Sequence, residues 1–246
     1  MLGLPEHISA CLFDLDGVLT QTAKVHARAW KQMFDEYLRR RAEASGETFV
    51  AFEQHDYDAY VDGKPRYDGV RDFLSSRGVE LPEGDRDAGP AEETIRGLGN
   101  RKNELVLEMI RADGVEPYEG SVRYLKAVKA AGLRRAVVSS STNCKDVLEA
   151  AGIGDLLEAR IDGVVAEQEK LAGKPAPETY LYAAKTLGVE PSQAAVFEDA
   201  LAGVESGRAG DFGCVVGVDR VGQASELRRH GADIVVSDLS ELLEDG

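Results

Sequence analysis

Cysteine is scarce. The three thiols, Cys11, Cys144 and Cys214, are odd in number, widely spaced and in no C-x-x-C pair. That excludes a disulfide framework and a cysteine-built zinc site, and it points to a reducing compartment. Basic residues are in deficit: 29 Lys+Arg stand against 44 Asp+Glu, for a formal net charge of −15 at pH 7. This sign opposes the phosphate backbone of nucleic acids, whose binding relies on clustered lysine and arginine, so no nucleic-acid partner is expected. No apolar run approaches the roughly 20 residues that a membrane helix needs, so no membrane partner is expected either. The opening residues, MLGLPEHISA, lack the basic region and long apolar stretch of a secretory signal. These absences together lead to the expectation of a cytoplasmic protein. What is present is ordinary for a globular chain: 43% apolar residues, with 26 Gly and 8 Pro, exclude wholesale disorder. A length of 246 residues corresponds to between one and two domains at about 150 residues each.

Ser9–Phe13 is a short apolar run that stops abruptly at Asp14-Leu15-Asp16-Gly17, the pattern of a buried strand entering a tight loop. From Thr22 to about Ala112 the chain becomes charged and rich in helix formers. His26, Trp30 and Phe34 recur at i, i+4 and i+8, and Leu105, Val106, Met109 and Ile110 line a second helix face. Beyond Pro117 helices alternate with strands. A helix carries Val122, Leu125 and Val128 and stops near Gly132; a strand covers Arg135–Val138; a helix runs from Asn143 to before Gly152. The rhythm continues through strand Ala159–Ile161, helix Pro177–Leu187, strand Ala194–Phe197, a short helix after Ala200, and strands Gly213–Val218 and Asp233–Val236.

Such alternation predicts an α/β fold, a doubly wound (Rossmann-like) parallel-sheet core with helices on both faces. The core is expected at 1–21 and 113–246, interrupted by an inserted α-helical domain at 22–112. Ala42–Gln54 and Glu80–Ala91 read as the loops of the insert, and Ser237–Gly246 as a short acidic helix.

Four segments carry chemistry, each directly after an expected strand. Asp14 and Asp16 place two carboxylates on a loop at the carboxyl edge of the sheet, where doubly wound folds hold ligands and where a hard cation would find oxygen donors. A second apolar run, Ala194–Phe197, ends in Glu198-Asp199, with Gly203 four residues beyond. Two strands that each end in acids converge on one ion if they are neighbours. Val137-Val138-Ser139-Ser140-Ser141-Thr142-Asn143 runs from a strand into hydroxyls and an amide at a helix start, a setting that attracts anions. Lys174, in Gly173-Lys174-Pro175-Ala176-Pro177, offers a point charge to phosphate from before two prolines that start a helix. Taken singly, each segment has a plainer reading: a turn, an N-cap, a solvated lysine, an accidental acid pair.

In the order DLDGVLT, VVSSS, GKPAP and FEDALAG, the four resemble the motifs of the haloacid dehalogenase (HAD) superfamily of phosphatases and phosphomutases. The resemblance covers nearly the whole chain, because the insert sits where these enzymes carry a helical cap domain. It implies that Asp14 is the nucleophile, becoming an aspartyl-phosphate, and that Asp16 is the general acid/base. It further implies Mg²⁺ held by Asp14, the Asp16 carbonyl, Glu198 and Asp199, with Ser139 and Lys174 contacting the transferring group. The insert is similar to the caps of sugar-phosphate mutases in this superfamily. By that likeness Thr22, His26, Trp30, Gly63, Arg66 and Lys102 bind substrate, with Ser141 and Asn143 at the non-reacting phosphate. Two positions depart from the mutase pattern: Thr142 replaces a lysine beside that phosphate, and Gln21 replaces an aspartate. Lys64 is a candidate to compensate. The implied partner is a small-molecule sugar phosphate, taken by a monomer. The implied reaction is phosphoryl transfer on a hexose phosphate by a mutase, with a sugar-phosphate phosphatase as the alternative.

Overall fold

The computed structural model describes residues 1–243. Among them the chain begins with β1 (Ala10–Phe13) and the α-helices α1 (Ala23–Ser45), α2 (Gln54–Asp56), α3 (Arg66–Ser76) and α4 (Ile95–Asp113), with a π-helical turn, Tyr57–Val61, between α2 and α3. Then come α5 (Glu119–Ala130), β2 (Arg134–Val138), α6 (Cys144–Ala150), β3 (Ala159–Ile161), α7 (Gly163–Glu169) and α8 (Glu178–Leu187). The chain continues through β4 (Ala194–Glu198), α9 (Leu201–Ala209), β5 (Cys214–Val218), α10 (Ala224–Arg229) and β6 (Ile234–Val236). It divides into two compact units, Met1–Gln21 with Val115–Gly246, and Thr22–Gly114.

The first unit is built on a six-stranded sheet in the order β3-β2-β1-β4-β5-β6, with every neighbouring pair parallel. The order reverses at β1, which lies between β2 and β4, so the switch point of this doubly wound sheet is at the carboxyl end of β1. All four residues of β1 and all five of β4 are buried, the continuous apolar run expected of strands covered on both faces. Alternation assigns the faces. Ala10, Leu12, Ala136, Val138, Ala194 and Val196 pack with Tyr180, Ala183, Ala184 and Leu187 of α8. On the opposite face Phe13 stacks on Phe197 at 4.5 Å between ring centroids, and Tyr124 of α5 meets both rings. Burying a ring of this size contributes roughly 1.5–3 kcal/mol, so the two strands that end in acids are held in fixed register.

The second unit is helical. Trp30, Met33, Phe34 and Tyr37 of α1 pack with Val70, Phe73 and Leu74 of α3 and with Ile95, Leu98, Leu105 and Val106 of α4. The 3.6-residue spacing of these apolar positions is what lets three helices share one core.

Two expectations need correction. Ala42–Gln54 is not all loop: α1 runs on through the helix formers Ala42, Glu43 and Ala44 and ends at Gly46, whose φ of +74° a glycine adopts freely. Phe52 in the same stretch is buried in the insert's core, pinned by its backbone N–H donating to Asp35 at 2.8 Å. The acidic C-terminal helix is a single 3₁₀ turn, Leu239–Leu242; its residues 244–246 lie outside the described residues. Among the described residues no helix is long and apolar enough to cross a membrane.

Candidate active site

Parallel register brings the dispersed motifs together. Phe13 is opposite Phe197 on one side and Val137 on the other. One residue further along, Asp14 therefore emerges beside Glu198, and its backbone N–H donates to the Phe197 carbonyl at 2.9 Å. The loop that follows is closed on itself: Leu19 and Thr20 N–H groups both donate to the Leu15 carbonyl, and Gly17 N–H donates to the Thr20 carbonyl at 2.8 Å. Gly17 has φ of +89°, and a Cβ there would lie 1.7 Å from Asp199 Oδ2. Only glycine lets the Asp199 carboxylate approach this backbone so closely.

Lys174 is the centre of the cluster. Its ammonium donates to Asp14 Oδ1 at 2.5 Å and to the Val138 carbonyl at 3.1 Å, and it lies 2.5 Å from Glu198 Oε1. The peptide bond after it, to Pro175, is cis. Glu198 also accepts from the Tyr180 hydroxyl at 2.8 Å. Burial pushes the Asp14 carboxyl well above the usual range; Glu198 and Asp16 add to the rise, and Lys174 opposes it. Burial works against the Lys174 charge, yet Asp14 and Glu198 outweigh it and hold the ammonium above the ordinary lysine range.

Asp14, Glu198 and Asp199 each offer a carboxylate oxygen, and these oxygens lie within 4.8 Å of one another. Three hard oxygen donors at this spacing fit a small divalent cation. The Asp16 side chain is outside this group, leaving its backbone carbonyl as the atom the loop could contribute. Ser139 continues β2, with its N–H donating to the Ile161 carbonyl. Its hydroxyl oxygen accepts from Ser141 N–H, and Ser141 Oγ accepts from Asn143 N–H, both at 3.1 Å. A hydroxyl that accepts still has its own proton to donate, so both serines keep a donor for an anionic oxygen.

The residues expected to bind substrate from the insert lie in the second unit. Thr22 is buried just before α1. Lys102 Nζ lies 2.7 Å from His26 Nδ1 and 4.8 Å from the centre of the Trp30 ring, so α1 and α4 bring these three together. Gly63, with φ of +70°, forms the turn before α3, and Arg66 opens that helix after Pro65. The Arg66 guanidinium lies 5.0 Å from the Tyr67 ring centre, while its buried Nε has no hydrogen-bond partner. Lys64 is already committed to Asp72 at 2.8 Å.

Sequence reasoning missed Tyr180, whose place in the apolar period of α8 marks it as core. Gly203 stands in the sequence only as a glycine four residues beyond Asp199. A Cβ at Gly203 would lie 1.9 Å from the Glu198 carboxyl carbon, so this glycine makes room for the carboxylate. Gly203→Ala is expected to displace Glu198 from Lys174 and Tyr180 and to lower activity by about tenfold or more, the usual cost of disturbing groups that orient metal ligands. Steady-state rates checked alongside a melting curve test this, and an unchanged rate would refute the assigned role.

Comparison with known proteins gives a family and several relatives. The family model for haloacid dehalogenase-like hydrolases matches residues 8–211. The chain is 59% identical over 247 residues to a β-phosphoglucomutase of Mycobacterium bovis, covering 99% of this chain and 94% of that protein. It is 29% identical to the β-phosphoglucomutase of Bacillus subtilis over 96% of this chain and 92% of that one. The crystal structure of β-phosphoglucomutase from Clostridium difficile superposes with a TM-score of 0.74 at 26% identity, covering 96% and 93% of the two chains. With the acids of β1 and β4 gathered around one buried lysine and a family match spanning most of its length, the chain belongs to the haloacid dehalogenase-like hydrolase family.

Proposed function

We propose that the chain is a Mg²⁺-dependent mutase that interconverts β-glucose 1-phosphate and glucose 6-phosphate through glucose 1,6-bisphosphate, acting as a cytoplasmic monomer on a small sugar phosphate. The observation that carries this reading is the Lys174 ammonium, 2.5 Å from both Asp14 and Glu198 at the ends of adjacent strands. An anionic carboxylate can approach an anionic phosphate only where cations neutralise both. The name of the M. bovis relative supports the mutase form of the chemistry.

Asp14 Oδ attacks phosphorus, the bond from phosphorus to the sugar oxygen breaks, and the phosphoryl group is carried as an aspartyl-phosphate. Asp16 gives a proton to the departing sugar oxygen and later removes one from the hydroxyl that takes the group back. The Ser139 hydroxyl donates to a phosphoryl oxygen, and Lys174 balances charge on the transferring group. Asp14, the Asp16 carbonyl, Glu198 and Asp199 would hold Mg²⁺, which when bound supplies charge neutralisation between carboxylate and phosphoryl oxygens. A bisphosphate also needs an anchor for its other end. Arg66 suits that task with a planar guanidinium and a buried Nε that lacks a partner. Leaving such a donor unsatisfied costs about 1–3 kcal/mol, a cost that a bound anion removes. The family resemblance assigns Ser141 and Asn143, in the first unit, to the non-reacting phosphate. Thr22, Gly63 and the His26, Trp30 and Lys102 cluster contact the sugar phosphate from the insert.

Incubation with β-glucose 1-phosphate, Mg²⁺ and a trace of glucose 1,6-bisphosphate tests the reading. Formation of glucose 6-phosphate is expected; free phosphate released without glucose 6-phosphate would identify a phosphatase and overturn the mutase assignment. Arg66→Ala should lower mutase kcat/KM by at least about tenfold, since a charged hydrogen bond is worth roughly 1.5–3 kcal/mol. Hydrolysis of an aryl phosphate, which has no second anion, should hardly change. Equal losses on both substrates would remove Arg66 from the anchor role.

A further inference from the structure

We propose that the loop after β5 is a clamp for the metal-binding loops, with Arg220 and Gln223 as positioning residues that set cation affinity from behind the site. The inference rests on the metal reading given above. Arg220 Nε donates to the Gly17 carbonyl at 2.7 Å, and one of its amino groups reaches the Val18 carbonyl at 3.5 Å. Three residues on, Gln223 Nε2 donates to the Asp199 carbonyl at 2.9 Å. One short loop thus grips the backbone of both acid-bearing segments, DLDG and ED, which are more than 180 residues apart in sequence.

The grip is stiff at both ends. Asp219 Oδ1 accepts from Val221, Gly222 and Gln223 N–H groups at 3.3, 2.7 and 2.8 Å, and its Oδ2 accepts from Ala224 N–H at 3.2 Å. That carboxylate folds the loop into a fixed turn. Arg220 is locked further by the Ser237 carbonyl at 2.8 Å, by Asp238 at 3.6 Å, and by lying 3.6 Å from the Tyr118 ring centre. Its donors are therefore committed to the protein, which rules it out as a phosphate ligand and leaves orientation as its role.

Peptide planarity carries the effect to the ligands. The peptide between Asp16 and Gly17 has its N–H pinned to the Thr20 carbonyl. Because the unit is planar and trans, the Asp16 carbonyl must point the opposite way. Arg220 fixes the next peptide plane through the Gly17 carbonyl, so both planes flanking Gly17 are set. Asp199, whose carboxylate rests against Gly17, is tied at its own carbonyl by Gln223. Removing Gln223 frees the Asp199 peptide, and removing Arg220 frees the Gly17–Val18 peptide plane that backs the Asp16 carbonyl and the Asp199 carboxylate, without deleting any ligand atom. Groups that orient metal ligands in this way typically govern affinity by about 10- to 100-fold.

The test is Mn²⁺ binding to the full chain, stripped with EDTA and followed by electron paramagnetic resonance, with melting temperatures recorded in EDTA. Wild type should bind one Mn²⁺, and Asp199→Asn should lose it. Arg220→Ala and Gln223→Ala should each weaken binding by about tenfold or more, while Arg220→Lys, which keeps the charge without the planar fork, should fall between Arg220→Ala and wild type. If Arg220→Ala fails to fold, Arg220→Lys and Gln223→Ala carry the test. Wild type without Mn²⁺ binding would overturn the metal reading itself. Wild-type affinity in the Arg220 and Gln223 variants, with or without a lower melting temperature, would leave the metal reading standing and overturn the clamp.

Discussion

Asp14→Asn is expected to reduce turnover by at least about 10⁴-fold, the scale on which loss of a covalent nucleophile is felt. The substitution is nearly isosteric, so an amide oxygen can still accept from Lys174, and the packing of Phe13 on Phe197 is untouched. What disappears is the negative oxygen that bonds to phosphorus. The site is buried and already holds Glu198 and Asp199 nearby, yet neither replaces the nucleophile. Glu198 Oε1 is held by Lys174 and Tyr180, and Asp199 is placed against Gly17. Single-turnover measurement of phosphoryl transfer from glucose 1,6-bisphosphate checks the result, with circular dichroism confirming an intact fold. A variant within tenfold of wild type would disprove the assignment of Asp14.

Lys174→Met should damage both catalysis and stability. The ammonium is the partner of two buried acids, and deleting one member of a buried ion pair costs about 3–5 kcal/mol because an uncompensated charge stays behind. For a chain of this size that corresponds to a fall in Tm of roughly 10 °C. The pH dependence distinguishes this origin from simple loss of packing. In wild type, Asp14 and Glu198 hold Lys174 above its ordinary range, so its stabilising contribution is complete at neutral pH and is lost only as pH climbs through that raised value. In the variant, Asp14 loses the cation that opposed its burial-driven rise. An acid whose folded pKa lies above its unfolded value costs stability as pH rises from the unfolded value through the folded one. The deficit of Lys174→Met relative to wild type should therefore be smaller at pH 5 than at pH 8. Melting curves at the two pH values decide; an equal deficit at both would show that buried charge is not the cause.

Much of this site is legible in the chain because its parts are local. A strand that ends in Asp-x-Asp-Gly can be read from an apolar run and a turn, and β3 runs over the same residues, Ala159–Ile161, that periodicity assigns. The long helix α1 follows from the spacing of His26, Trp30 and Phe34. The helices α7 and α10 are short, at seven and six residues; too little of a period fits in them to register, and neither is marked at both ends as the seven-residue α6 is by Asn143 and Gly152. The Ala42–Gln54 segment misleads because its composition is polar while one residue in it, Phe52, belongs to the core of the insert. Burial of that ring is decided by Asp35 and by the aromatic residues around it, which sit elsewhere in the chain.

Gly203 and Tyr180 show the other limit. Each is conspicuous only once Glu198 occupies a definite position, since a glycine in a helix and a tyrosine on an apolar face have ordinary explanations in sequence. Arg220 and Gln223 carry no local signal at all, because their partners are backbone carbonyls, which every residue possesses.

The amino-acid sequence by itself determined the alternation of strands and helices, the interruption after the first strand, and the identity of the acids, hydroxyls and lysine available for chemistry. These are properties of periodicity and side-chain type, carried by residues close together in the chain. Only the tertiary structure decided that β1 lies between β2 and β4 in a register that sets Asp14 beside Glu198, and that Lys174 serves both. Strand order and register follow from which faces bury each other across the sheet, a condition on the whole core that no single segment contains.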